Sequence, residues 1–466
     1  MGNGAIILIS AAAAYILSFF SYSPYGEFPH SLAVISSILV FFVLLQIIIN
    51  RSLKQLFLFP FLLLNWLYFQ SPFLLKDKTE YFMRIIKEEY IGEIAVYTCI
   101  SIFCIYFGYN LFFNNSVKPM AKKTFRFSLN RLQQLIYIFI GLGFLYRLGE
   151  EFSPGIVAQL SNIIQILFYG PTIVFALYTL FLVRSKQKIY LSSFHFIVIG
   201  FLLIELLLRL STTLFANIGI LFIGAFLVYY REQRKLPIVW IVIGSIILIP
   251  LYQSRKYIRF NLKENQTSQS RLEVGTKVLE EVVSKEDLDQ QIEKFNRVRF
   301  NKEHNRFENL SFLSHVVLQH KLGVKDFQYG KTFYWLPLVP IPRIIFPSKP
   351  INKMSTTVAT DYGLRGEIST ASINFPMLVE GYINFGFDGM LIMALIFGMA
   401  YKWFIMKFGL GLGDLNLLIV INSIKQFTHA EGNITLVFGA LIQVYLFWWI
   451  LIKFLNISKY DTNEKK

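Results

Sequence analysis

One pattern governs this chain: an apolar run about twenty residues long, a short polar connection, then another such run. About 20 apolar residues suffice for a helix to cross a bilayer, and a helix satisfies its own backbone there. Such runs stand near 4–20, 31–49, 53–74, 91–113, 132–148, 161–183, 194–210, 213–230, 237–252, 387–407, 415–428 and 435–455. Only 16% of the 466 residues are charged, against about 25% in soluble domains, so there is too little polar surface to enclose the apolar remainder in water. The expectation is an all-α polytopic membrane protein of about twelve transmembrane helices. Strands alternating apolar and polar residues are absent, which excludes an outer-membrane barrel. No basic stretch precedes the first apolar run, which therefore reads as a retained helix rather than a cleaved leader.

The net charge of +16 would suit a nucleic-acid binder, but its distribution argues otherwise. With the N-terminus inside, the basic clusters fall in the inner connections: Arg51 and Lys54; Lys118, Lys122, Lys123, Arg126 and Arg131; Arg184, Lys186 and Lys188; Arg231, Arg234 and Lys235; and the tail from Lys453 to Lys466. The outer connections lack base, as at 21–30, or balance it with acid, as at 76–90. This is the bias that orients membrane helices. Much of the charge is a topology signal, and no nucleic-acid partner is expected.

The chain then divides into helices 1–9 over residues 1–252, a large extracytoplasmic loop over 253–386, and helices 10–12 with a cytoplasmic tail over 387–466. A loop of that length is a functional cap rather than a connector. Its first half carries an amphipathic helical pattern from Arg271 to Phe300, suited to lying on the membrane or the bundle. Its second half is rich in Pro, Gly, Ser and Thr and is expected to fold back over the helices. Cys99 and Cys104 share one apolar run and read as small hydrophobes.

Charges inside membrane runs are costly and point to function. Glu205 and Arg209 are four apart, on one helix face; they either neutralise each other or, for Arg209 near the outer mouth, serve a ligand. Around the same surface the sequence gathers Arg147, Arg255, Lys256, Arg259, Arg343, Lys349, Arg365, Lys425 and His429, with Glu431 among them. Outer surfaces are normally poor in such residues. A multivalent anion at the outer leaflet explains the set, since guanidinium groups grip phosphate bidentately; contact with lipid head groups accounts for part of it. No phosphate loop of an ATPase, no HExxH and no paired Cys or His spacing occurs, so neither a metal nor another cofactor is expected. His304, His315 and His320 lack ligand spacing and read as solvent-exposed.

Three segments resemble the O-antigen and oligosaccharide repeat-unit polymerases of the Wzy type. They are PIPRIIFPSKP at 340–350, SINFPMLVEGYINFGFDG at 372–389, and RLSTTLFANIGILFIGAFLVYY at 209–230. The resemblance implies a membrane glycosyltransferase with a GT-C-like architecture, resident in the bacterial plasma membrane and active on its outer face. Its substrate would be an undecaprenyl-diphosphate-linked oligosaccharide, and its partners the lipid bilayer, a repeat-unit flippase and a chain-length regulator. Arg209, Arg255, Arg343, Lys349 and Arg365 would bind the diphosphate leaving group. The acceptor hydroxyl would need a base, for which Glu367, Glu380, Asp361 and His429 are the candidates. Asp361 also suits a turn before Tyr362-Gly363, and Glu380 could orient the helix that re-enters the membrane.

Two other functions fit the same features. A ligase would share the donor and the cations but deliver the polysaccharide to a different acceptor. A lipid-linked oligosaccharide flippase would be expected to set its polar residues along a midplane path, rather than on an outer shelf beneath one loop.

Overall fold

A computed structural model describes residues 2–21, 25–74, 88–111, 126–152, 170–185, 192–211, 215–235, 237, 309–334, 336–339, 341, 346, 354–363, 375–408, 413–428 and 432–454. The described residues form helices and turns, with no β-strand. Thirteen α-helices are seen among them. In order they are α1 (Asn3–Phe20), α2 (Glu27–Ile48), α3 (Leu53–Phe69), α4 (Glu88–Leu111), α5 (Leu129–Phe152), α6 (Gly170–Ser185) and α7 (Ser193–Ser211). After them come α8 (Phe215–Gln233), α9 (Asn309–Lys321), α10 (Met354–Asp361), α11 (Met377–Phe408), α12 (Asp414–Thr428) and α13 (Ile434–Phe454). Five stretches of these, 3–20, 27–48, 89–111, 129–149 and 377–407, are long and apolar enough to cross a membrane. The chain is therefore a helical membrane protein. The expected span at 237–252 and the amphipathic segment at 271–300 lie outside the described residues.

Contacts divide the chain into two compact units, 1–125 with 305–466, and 126–304. In the first unit α4 and α11 form the tightest helix pair. Gly108 meets the Leu395 carbonyl and Gly398 meets the Ile105 carbonyl, so a Cβ at either position would strike backbone. Small residues of this kind let membrane helices approach, because lipid offers no competing hydrophobic drive. Tyr97 stacks on Phe387 with ring centroids 3.9 Å apart. Pairing 97 with 387 and 105 with 398 makes the two helices parallel. The expected topology demands this, since both would enter the membrane from the side of the long loop.

Helix α3 joins this pair through Phe61, which stacks on Phe397 at 4.7 Å and Tyr401 at 5.3 Å. A buried polar knot ties α2, α3 and α4. Gln70 donates to the Ala95 carbonyl and the Thr98 hydroxyl, Ser36 donates to Gln70, and the Trp66 indole donates to Ser36. Buried amides and hydroxyls are costly unless partnered, and here they fix the register of three otherwise slippery helices.

The described part of the expected loop packs on the same end of this unit. In α9, Lys321 pairs with Glu93 of α4 at 3.0 Å. Farther on, Gln443 of α13 donates to the Val339 carbonyl, and Val339 lies directly against Gly439. The loop ends sooner than the apolar pattern indicates. Helix begins at Met377 instead of 387, and its first turns are separated from the rest by a break at Phe385 and Gly386. The pattern missed those turns because Glu380, Asn384 and three glycines interrupt the apolar run.

The second unit holds α5 to α8. Gly170 packs against Gly143 and the Phe139 carbonyl, and Tyr178 bonds His195 at 2.9 Å. Arg184 reaches both Glu232 and the Phe127 carbonyl. These pairings make α5 and α7 parallel to each other and antiparallel to α6 and α8. Arg184, Arg231 and Glu232 mark one end of the unit, whereas Arg147, Glu205 and Arg209 mark the other.

Candidate functional sites

The second unit buries a cluster of two guanidinium groups on one carboxylate. Glu205 stands within α7, its side chain 2% exposed. Arg147 of α5 grips it bidentately, Nε donating to Oε1 at 3.0 Å and Nη2 to Oε2 at 2.8 Å. Arg209, one turn after Glu205 and itself 1% exposed, brings its Nε to 3.8 Å from Oε2. The i,i+4 pair read from the sequence is present, but the closer partner of Glu205 comes from another helix. A bidentate fork is the strongest arrangement a guanidinium can make with a carboxylate. Charge within apolar helices is expensive and marks a candidate functional site.

The first unit carries a second centre at the break in α11. At Gly386 the backbone takes φ 68° and ψ −154°, a region essentially restricted to glycine. The Phe327 ring lies 3.3 Å from where a Cβ would sit. Across the bend Gly381 and Gly389 touch, a Cβ on Gly381 falling 2.7 Å from the Gly389 carbonyl oxygen. The EGYINFGFDG segment is thus a folded-back helix break, and its three glycines are what let the two backbones meet.

Its polar residues fasten the surroundings to that break. Glu380 is fully buried and accepts a 2.7 Å hydrogen bond from Ile434 N–H, at the first turn of α13. A carboxylate there satisfies an orphan donor and complements the helix dipole. Asn384 accepts from Gly330 N–H at 2.8 Å and donates to the Thr332 hydroxyl at 2.7 Å. The Ile383 and Asn384 carbonyls accept from Gln328 and Tyr329 N–H groups. The turn at 328–332 is thereby bolted to the break. Beside it lies a cleft of about 360 Å³ lined by Tyr329, Gly330, Lys331 and Tyr334.

Two histidines depart from expectation. His315 and His320 are half-buried rather than solvent-exposed, because α9 packs both against the segment around Tyr362. The Nε2 of His315 meets the Tyr362 carbonyl at 2.8 Å, and the Nε2 of His320 meets the Tyr362 hydroxyl at 2.7 Å. His320 also stacks on Phe327 at 4.6 Å. Burial pushes its pKa below the ordinary 6.5, with Asp326 opposing, and burial raises that of the Tyr362 phenol.

Of the residues assigned from sequence, the structure places Arg209 and Glu380, and it places them in different units. Asp361 is exposed at the end of α10. Arg255, Arg343, Lys349, Arg365, Glu367 and His429 lie outside the described residues. Sequence reasoning did not single out Asn384, Tyr329 or Tyr334. The glycines at 381, 386 and 389 were the signal for the break, since three in nine residues do not suit an uninterrupted membrane helix. Among the described residues, no group of three or more His, Cys, Asp or Glu is gathered where it could hold a metal. No family model, no curated protein and no solved structure matches this chain.

Proposed function

We propose that the protein polymerises undecaprenyl-diphosphate-linked oligosaccharide repeat units into a surface polysaccharide at the outer face of a bacterial plasma membrane. The observation that carries the reading is the cluster of Arg147, Glu205 and Arg209, which sets two guanidinium groups around one buried carboxylate inside an apolar helical unit. In the reaction the bond between the sugar's anomeric carbon and the diphosphate breaks, and a glycosidic bond to an acceptor hydroxyl forms. The hydroxyl proton passes to a base, and undecaprenyl diphosphate leaves with the bonding electrons. Charge therefore grows on the diphosphate oxygens, where fixed cations in a water-poor site are most effective.

In this scheme Glu205 anchors Arg147 and sets the position of Arg209, which faces the leaving group. Arg255, Arg343, Lys349 and Arg365 supply further cations in a GT-C-like enzyme. Glu367, Glu380 and His429 are the candidate bases, with Glu380 placed behind the other two because its Oε2 is held by Ile434 N–H at the start of α13. A flippase delivering repeat units and a chain-length regulator are its expected partners.

The test is a cell-free reaction of the purified protein with lipid-linked repeat units. A ladder of products supports the polymerase, whereas transfer to a foreign acceptor without a ladder means a ligase. No transfer at all, with movement of the lipid across vesicles, means a transporter. Arg209→Ala should lose about 10²–10³-fold in rate, as removal of one donor from a developing anion does, while remaining membrane-inserted. A normal ladder from this variant removes Arg209 from the site.

A further inference from the structure

Tyr329 occupies a backbone conformation that its side chain makes costly. Its φ is +46°, in the left-handed region that bulky residues avoid. Gly330 follows at φ +87°. Three hydrogen bonds to the break in α11 enforce the turn: Gln328 N–H to Ile383 carbonyl, Tyr329 N–H to Asn384 carbonyl, and Gly330 N–H to the Asn384 side chain. None of these needs an aromatic ring at 329; glycine or asparagine would take the conformation more easily. The ring is not there to fill the core either, since Tyr329 is 74% exposed. It touches Phe327 and Phe385 only edgewise, at 6.4 Å each.

Strain imposed by a rigid support, with an exposed large side chain as the result, calls for a ligand. The cleft beside it shows what kind. Tyr329 and Tyr334, the latter 73% exposed, present flat rings and phenolic hydroxyls, with Lys331 and the Gly330 backbone between them. The cleft is shallow and open, with a volume of about 360 Å³, so a ligand there would lie against the rings rather than be enclosed. Aromatic faces suit a partner with apolar C–H faces, phenols suit a hydroxylated rim, and the ammonium suits an anionic substituent. A saccharide joined to a phosphate has all three.

We infer that the cleft of Tyr329, Lys331 and Tyr334 is a saccharide subsite, holding a sugar of the lipid-linked repeat unit by stacking on the two tyrosines. The inference rests on the proposed polymerase reading for the identity of that saccharide. Tyrosines at a membrane surface can also serve as interfacial anchors, but an anchor does not need a pinned left-handed turn.

The test uses the full-length protein in detergent and, as probe, the soluble oligosaccharide released by mild acid from the lipid-linked repeat unit. Binding is read by calorimetry, independently of polymerisation. Tyr329→Gly relieves the left-handed strain, so its Tm should stay close to that of the parent. Its affinity should fall about tenfold or more, equivalent to about 1.4 kcal/mol, while Tyr329→Phe, which keeps the ring face, stays within a few-fold. Tyr334→Ala, altering the other side of the cleft, should also weaken binding and serves if Tyr329→Gly proves unstable. Loss of binding in these variants upholds the subsite even where no ladder forms. Unchanged binding in both, or no binding to the parent while ladders form, overturns the subsite and leaves the polymerase reading standing. A nitroxide at Tyr329→Cys relaxed more by oxygen than by a water-soluble nickel chelate would place the residue in the bilayer interface, and would also overturn it.

Discussion

Glu205 and Glu380 are both carboxylates buried among apolar helices, and they are held in opposite ways. Glu205 is met by two guanidinium groups, one of them bidentate and 58 residues away in sequence. Glu380 is met by a backbone N–H at the start of a helix, with the Thr332 hydroxyl beside it. The first arrangement brings two guanidinium groups from two helices onto one carboxylate. The second ties one carboxylate oxygen, Oε2, to the first turn of the helix after the break. A buried acid in a membrane protein is thus informative through its partners, which are guanidinium groups in the first case and a helix N-terminus in the second.

The largest test of that contrast is Arg147→Ala. Removing one partner of a buried pair costs about 3–5 kcal/mol, so the variant should show a clearly lower Tm in detergent. Arg147→Lys should recover only part of the loss, since an ammonium cannot make the two-point contact. If Arg147→Ala unfolds at the parent temperature, Glu205 is held by something other than this fork.

A smaller effect is expected at the break. Gly386→Ala forces a Cβ into a glycine-only conformation against Phe327 and should cost about 1–3 kcal/mol. The loss should appear as increased proteolysis near 327–334, because that turn hangs on the carbonyls at 383 and 384. A parent-like digestion pattern would mean that the turn is held independently of the break.

The smallest expected effect is that of Glu380→Gln, which keeps an oxygen for Ile434 N–H and gives up only the charge. A charge-assisted hydrogen bond exceeds a neutral one by about 1 kcal/mol, and the Tm should move by no more than that implies. Activity in the cell-free reaction should survive. Full loss of activity at parent stability would return Glu380 to the position of a general base and erase the distinction between the two carboxylates.

The candidate sites were legible in part. Glu205 and Arg209 were readable because two charges four apart in an apolar run share a helix face at any tertiary arrangement. The EGYINFGFDG segment was readable as unusual, but its physical meaning was not. Its glycines matter because Gly381 and Gly389 touch across a bend, and no local pattern records which backbones will meet. The half-buried state of His315 and His320 was missed for the same reason, as their partner Tyr362 lies more than 40 residues away.

What the sequence by itself determined is the class of molecule. Apolar runs of membrane length and a basic bias in alternate connections constrain each helix separately, and each can be read within its own residues. Only the tertiary structure decided that α4 and α11 pack in parallel through Gly108 and Gly398. The same holds for the grip of Arg147 on Glu205, the cap that Glu380 provides for α13, and the strained turn at Tyr329. These depend on how helices are rotated and how far they slide against one another. In apolar surroundings hydrophobicity is nearly the same on every face, so the choice falls to a few small residues and buried polar partners distant in sequence.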